Sequence, residues 1–202
     1  MEGDSRYTIG LDLGQSRNHT AMAVMKRVWM PATASEFIAS GSRGYQGEYR
    51  HTVVGADRLS LGTSYPRVVS WVKSVAAELG DELGAIVVDA SGVGSAVMDL
   101  LRRAEMGVRL VGVVITGNQA SAPPGHGRTA AGFETVSRTE LLTKLQVAVQ
   151  TGQFRVDRPR CREWEAMRRE LSTLRLDGAG PARQQDDLAF ALALAVWWGV
   201  KW

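Results

Sequence analysis

The segment from Ala85 to Ile115 leaves little choice of fold class. Ala85-Ile-Val-Val-Asp89 is a short apolar run closing in a carboxylate, of the kind buried on both faces of a sheet. Ser91-Gly-Val-Gly94 then turns the chain into a helix carrying Val97, Leu100 and Leu101, and Val108 to Ile115 is the next strand. A strand, helix, strand unit predicts two parallel strands joined by a right-handed crossover, and hence an α/β fold. At 202 residues the chain predicts one domain, 1–202, long enough to bury a real core.

The flanking segments fill in a mixed sheet with helices around it. Tyr7 to Leu13 is a β-type run, and Thr20 to Val28 is a second one after the polar turn QSRNH, so the pair predicts a hairpin with Asp12 near a strand's end. Residues 40–50 are Gly-rich and predict a loop, followed by a strand over His51 to Leu61. Thr63-Ser-Tyr-Pro66 opens a helix that Gly80 or Gly84 ends. Thr116 to Gly132, rich in Gly, Ala and Pro, predicts a flexible loop or hairpin excursion. Ser137-Arg-Thr-Glu140 is a capping box for a helix reaching about Gln150. Arg162 to Leu171 predicts a helix, Leu174 to Leu176 a short edge strand, and Asp177 to Gln185 a loop. Asp186-Asp187 cap a last helix that is apolar all round and hence buried, with Trp197, Trp198 and Trp202 as core and interface anchors. Residues 1–5 predict a loose N-terminal tail.

Composition excludes several classes of function. A single cysteine, Cys161, forbids an intrachain disulfide, and His19, His51 and His126 are too scattered to suggest a zinc site. The opening MEGDSRYTIG has no basic start before an apolar stretch, and the longest apolar run, Leu188 to Trp198, is shorter than the roughly 20 residues a bilayer needs. These features predict a soluble, cytoplasmic protein with no membrane partner, in the host's cytoplasm if the chain is viral or prophage-encoded. The net charge is only +3, yet of 24 basic residues four are Lys, leaving 20 Arg, whose planar forks match phosphate oxygens. A GC-rich coding sequence gives the same bias.

Asp12, Asp89 and the pair Asp186 and Asp187 occupy corresponding places: two strand ends and a helix start. In α/β domains ligands collect at such edges. Their wide separation in sequence rules out a local loop-type metal site, so only the fold can gather them. Gathered carboxylates raise one another's pKa unless a cation neutralises them. Hard oxygen donors suit Mg²⁺ or Mn²⁺, and two such ions support hydrolysis of a phosphodiester. Taken singly, each Asp is a turn former or a helix cap; the set points to nucleic-acid hydrolysis.

The chain resembles the nuclease domain of the phage terminase large subunit, a ribonuclease H-like fold related to Holliday-junction resolvases. The resemblance rests on Ile9-Gly-Leu-Asp-Leu-Gly14 with Thr20-Ala21, on Leu61-Gly-Thr-Ser-Tyr-Pro66, on Val88-Asp-Ala-Ser-Gly-Val-Gly94 and on Asp186-Asp-Leu-Ala-Phe-Ala-Leu-Ala193. Ser137 to Gly152 with Phe154-Arg-Val156 resembles the family's late helix and strand. The resemblance implies an endonuclease, dependent on two Mg²⁺ or Mn²⁺ ions, that cuts concatemeric double-stranded viral DNA with low sequence specificity during packaging. It implies Asp12, Asp89 and either Asp186 or Asp187 as catalytic metal ligands, and as partners an ATPase motor domain, a portal and a small terminase subunit. Arg128, Arg138 and Arg155 are candidate DNA contacts.

Two positions depart from the family. Asn18 stands where many relatives have an additional Asp, an auxiliary ligand without charge, and Gln185 stands where relatives often have His, so activation of water falls to the ions and the carboxylates. GxxxxGK[ST] occurs nowhere in 1–202, which predicts that these residues hold no ATPase motor and are either an excised nuclease domain or a stand-alone protein. Two other functions compete. Asn18 and Gln185 fit a catalytically silent DNA-binding or docking module, and Gly10-Leu-Asp-Leu-Gly14 also resembles the first phosphate motif of actin-like and sugar-kinase-like ATPases, which need two such domains. Gly92-Val-Gly94 is a poor dinucleotide fingerprint, because its third glycine would fall at Val97.

Overall fold

The computed structural model describes residues 5–14, 18–33, 35, 47–92, 94–117, 129, 132–152, 154–174 and 185–199. Among them runs one seven-stranded mixed sheet: β1 (Ser5–Asp12), β2 (Ala21–Pro31), β3 (Gly47–Arg58), β4 (Leu83–Asp89), β5 (Arg109–Thr116), β6 (Glu134–Ser137) and β7 (Phe154–Val156), in the order β6-β5-β4-β1-β2-β3-β7. Among the described residues five helices flank it: α1 (Tyr65–Leu79), α2 (Gly94–Arg103), α3 (Arg138–Gln150), α4 (Trp164–Thr173) and α5 (Asp187–Gly199).

The predicted hairpin forms as β1 and β2, antiparallel, and the predicted crossover forms as β4, α2 and β5, with the two strands parallel. Strand alternation sorts the core into two layers. Ile9, Leu11, Ile86 and Val88 point to the face covered by α1 and α2, where Val68, Val72, Val97 and Leu101 meet them. Ala85, Val87, Ala23 and Met25 point to the other face and pack under α5. Leu141, Leu145 and Met167, from α3 and α4, share this second layer. Sheet on one side and helices on the others explain why α5 is apolar all round: every residue from Asp187 to Gly199 is buried.

α5 lies unusually close to β1 at Gly10, where a Cβ would run into the backbone of Ala191 and Ala195. A glycine inside a strand often marks such an approach. At its far end Gly199 lies beside Met25 and Thr8. α5 therefore runs opposite to β1, and its N-terminus comes to the end of β1 that carries Asp12.

Several sequence expectations need correction. β3 begins at Gly47, four residues ahead of the expected strand, because its first residues pair with the end of β2, from Pro31↔Gly47 to Arg27↔His51. The rest of the predicted 40–50 loop lies outside the described residues. β6 occupies Glu134–Ser137, a strand the sequence reading missed, next to β5 in parallel. Leu174 is no edge strand: it caps α4 in extended conformation, while residues 175–176 lie outside the described residues. The described edges of the sheet are β6 and β7. Most of the predicted excursion is outside the described residues, but Thr129, Gly132 and Phe133 form a hydrogen-bonded turn leading into β6. Only one half of the capping box appears as expected. Ser137 Oγ accepts from Glu140 N at 3.1 Å, whereas the Glu140 carboxylate is turned to α5, accepting from Trp197 Nε1 at 3.2 Å. Among the described residues no helix is long and apolar enough to cross a membrane.

Candidate active site

β1 and β4 are parallel neighbours whose last paired residues are Leu11↔Val88. Asp12 and Asp89 therefore stand side by side, each one step beyond that pair. Alternation puts them on the face opposite Leu11 and Val88, the face that α5 covers. The antiparallel course of α5 brings Asp187 to the same place. Chain segments far apart in sequence thus meet at one edge.

The four aspartates have different surroundings. Asp89 Oδ1 accepts from Ser91 N at 2.8 Å, and Ser91 Oγ in turn accepts from Ile115 N at 3.0 Å, so the turn after β4 is pinned to β5. Asp187 is 2% exposed and accepts from the backbone N–H of His19 at 3.3 Å. Asp186 is half-buried and pairs with Arg138, whose guanidinium lies 3.3 Å from its carboxylate and over the ring of Phe190. Asp12 accepts no hydrogen bond among the described residues. Burial, then the charges of Asp89, Asp187 and Asp186, and last that of Glu170, push its pKa well above the usual carboxylate value. Burial also raises Asp187, with Asp186 adding to the rise and the His19 N–H opposing it.

Carboxylates alone make a hard, anionic donor set, which fits Mg²⁺ or Mn²⁺ and not a soft ion. Among the described residues no three His, Cys, Asp or Glu side chains stand close enough to share an ion as they are. What fits a cation is the charge: a half-buried carboxylate without a donor, facing other carboxylates.

No family model matches the chain, and no curated protein matches it closely enough to count. Solved structures do. They include the large terminase nuclease from thermophilic phage G20c with bound zinc, at 18% identity and TM-score 0.55 over 95% of this chain and 80% of that one. The nuclease domain of the large terminase subunit of bacterial virus Sf6, with manganese and beta-thujaplicinol, is similar at 14% identity and TM-score 0.58 over 95% and 87%. The manganese-soaked human cytomegalovirus terminase nuclease domain gives 12% and 0.56 over 97% and 83%. The fold is that of a terminase large-subunit nuclease domain.

Against this terminase nuclease fold the remaining predicted residues scatter. Asn18 is exposed in the turn between β1 and β2, and Gln185 is exposed just before α5. Arg138 is committed to Asp186. Arg155 is exposed on the edge strand β7. Arg128 lies outside the described residues. Of the neighbouring arginines, Arg160 pairs with Asp157 at 3.5 Å, Arg162 with Asp57 at 3.7 Å, and Arg158 lies over the ring of Trp164.

Two residues at this edge of the terminase nuclease fold were missed. His19 holds Asp187 through its backbone, and its ring Nδ1–H donates to the Leu59 carbonyl at 2.8 Å. No sequence signal marks it, since its partners come from distant segments. Glu170, 6% exposed, was findable: it falls one helical turn after Ala166 and Met167 on the buried face of α4. Glu170 Oε2 accepts from Ala189 N at 3.0 Å, so it caps α5, the role the sequence reading gave to one of the paired aspartates. Arg58 holds Glu170 at 3.3 Å and Glu163 at 3.2 Å. Burial raises the pKa of Glu170, and the Ala189 N–H and Arg58 oppose the rise.

Removing Arg58 would leave Glu170 buried without its counter-charge. Arg58→Met is expected to cost about 3 kcal/mol, read as a melting temperature lower by roughly 10 °C. Adding Glu170→Gln should recover part of the loss. An unchanged melting temperature in Arg58→Met would show that the pair does not anchor α5.

Proposed function

We propose that the chain is a divalent-metal-dependent endonuclease acting on double-stranded DNA in viral genome packaging, with 1–202 as a single nuclease domain. The observation that carries this reading is Asp12, a carboxylate without a hydrogen-bond donor, set among Asp89, Asp187 and Asp186. Such an arrangement is unfavourable unless a cation joins it. The likeness to terminase nuclease folds bearing zinc or manganese supports the same reading.

In this proposal Asp12, Asp89 and Asp187 hold two Mg²⁺ or Mn²⁺ ions. Asp186, engaged by Arg138, supports them from outside. When bound, the ions supply activation of water and stabilisation of the leaving oxygen. The chain's own residues fix the donors. Ser91 sets the rotamer of Asp89, the His19 N–H orients one oxygen of Asp187, and Glu170 with Arg58 fixes where α5 begins. Contact with the phosphate backbone, without reading of base edges, gives low sequence specificity. The motor domain, portal and small subunit implied by the resemblance belong to the same proposal.

The test is cleavage of supercoiled plasmid by the purified chain with EDTA, Mg²⁺ or Mn²⁺, with Asp89→Ala alongside. Cutting that needs metal and disappears in Asp89→Ala is the expected result. Cutting that persists in EDTA, or at full rate in Asp89→Ala, would overturn the reading. No cutting with any metal would favour the silent DNA-binding module.

A further inference from the structure

At the opposite end of the sheet the register places cations side by side. Arg6 on β1 pairs with Arg27 on β2, and Arg27 pairs with His51 on β3. Arg109 on β5 pairs with Ala85 on β4, which pairs with Thr8 on β1. Alternation sets all of these on the face of α5, just past its C-terminus. Like charges directly opposite one another on a sheet repel, and Arg6 Nη1 donates to the Asp81 carbonyl at 3.3 Å.

Arg6, Thr8, Arg27, Gly84 and Arg109 line a cavity of about 250 Å³, closed on one side by Trp198 and Gly199. Arg27 forms its floor. Although only 9% exposed, it has no carboxylate partner among the described residues. Its Nη1 donates to the Gly199 carbonyl at 3.3 Å, its guanidinium lies 4.3 Å from the Tyr49 ring centre, and its buried Nε has no partner. Behind it His51, 5% exposed, also has a buried nitrogen, Nδ1, without a partner. Arg6 and Arg109 are exposed at the rim, Arg109 over the Trp198 ring.

A guanidinium without a carboxylate partner among the described residues, lining a cavity with two more guanidinia, makes a receptor for a multivalent oxyanion. The cavity has room for a phosphate group and a few waters but not for a base pair. We infer that this cavity is a phosphate-binding site, with Arg27 at its floor and Arg6 and Arg109 at its rim. Six residues of β1 separate Arg6 from Asp12, about 20 Å, so its ligand is not the group that would react among the carboxylates. The site stands whether or not the nuclease reading does.

The probe is inorganic phosphate, titrated calorimetrically into the full chain in EDTA, against chloride and acetate at matched ionic strength. Phosphate should bind saturably where chloride and acetate do not, and Arg6→Gln with Arg109→Gln should weaken it by at least about tenfold. Both replaced side chains are exposed, so the fold is retained, and Arg27→Met is a second variant. Asp12→Asn should bind phosphate as the wild type does, which separates this site from the carboxylates. A 5′-phosphorylated dinucleotide that displaces phosphate would assign the ligand to nucleic acid, and one that does not would assign it to free phosphate. No saturable phosphate binding, equal binding of acetate, or undiminished binding in the double variant would overturn the inference.

Discussion

Asp12→Asn should raise the melting temperature of the metal-free protein while abolishing its metal-dependent cleavage. Both effects have one cause. Asp12 is pushed up by burial first and then by Asp89, Asp187 and Asp186. A carboxyl whose pKa is higher in the folded chain holds its proton more tightly there. Its contribution to stability is complete below its unfolded pKa of about 4 and is lost as pH rises through the folded value. Above that folded value the metal-free wild type has lost the contribution, whereas the amide in the variant carries no charge at any pH. A gain of about 1 kcal/mol would appear as roughly 2–4 °C in a domain of this size.

The comparison must be made between the two proteins, because His51 works in the opposite sense. Burial, then Arg27, lowers its pKa, so it stabilises the fold above its unfolded value and that contribution is lost as pH falls. In the difference between wild type and Asp12→Asn the His51 effect cancels. Mn²⁺ should then stabilise the wild type and barely affect the variant. Cleavage should fall by about a thousandfold, as removal of several kcal/mol of transition-state stabilisation implies. Equal melting curves with and without Mn²⁺ in both proteins would remove Asp12 from any metal site.

The second large effect is expected at Gly10. Its substitution by Ala puts a methyl group against the Ala191 carbonyl and the Ala195 N–H. These are backbone atoms of a helix buried on all sides, and no rotamer change can move them. Overpacking of this kind costs about 3 kcal/mol or more, a fall of roughly 10 °C. Since α5 also carries Asp187, the folded remainder should lose Mn²⁺-induced stabilisation. Gly117→Ala is the control, because a Cβ there meets nothing within 4 Å; it should change stability by less than about 0.5 kcal/mol. A Gly10→Ala protein as stable as the control would mean that α5 does not lie against β1 at this distance.

Local patterns carried the sequence reading wherever neighbouring residues decide the structure. The apolar run to Asp89, the turn through Gly94, the hairpin after Asp12 and the buried helix from Asp187 were each readable, because period and turn chemistry act over a few residues. So were Asp12, Asp89 and the Asp186-Asp187 pair as the acidic residues at element ends. β6 was not readable, since four residues running straight into a helix show no alternation; its strand character comes from lying beside β5. The start of β3 at Gly47 has the same origin in its pairing with β2.

Tertiary structure alone separated Asp186 from Asp187. Successive positions at a helix start differ only in direction, and direction acquires meaning from what lies there: Arg138 beside Asp186, and the His19 N–H beside Asp187. It likewise assigned the capping of α5 to Glu170, made His19 a neighbour of Asp187, and aligned Arg6, Arg27 and His51 across three strands. These relations join residues from distant segments, and their energies depend on burial and charge that exist only once the sheet and α5 have closed on each other.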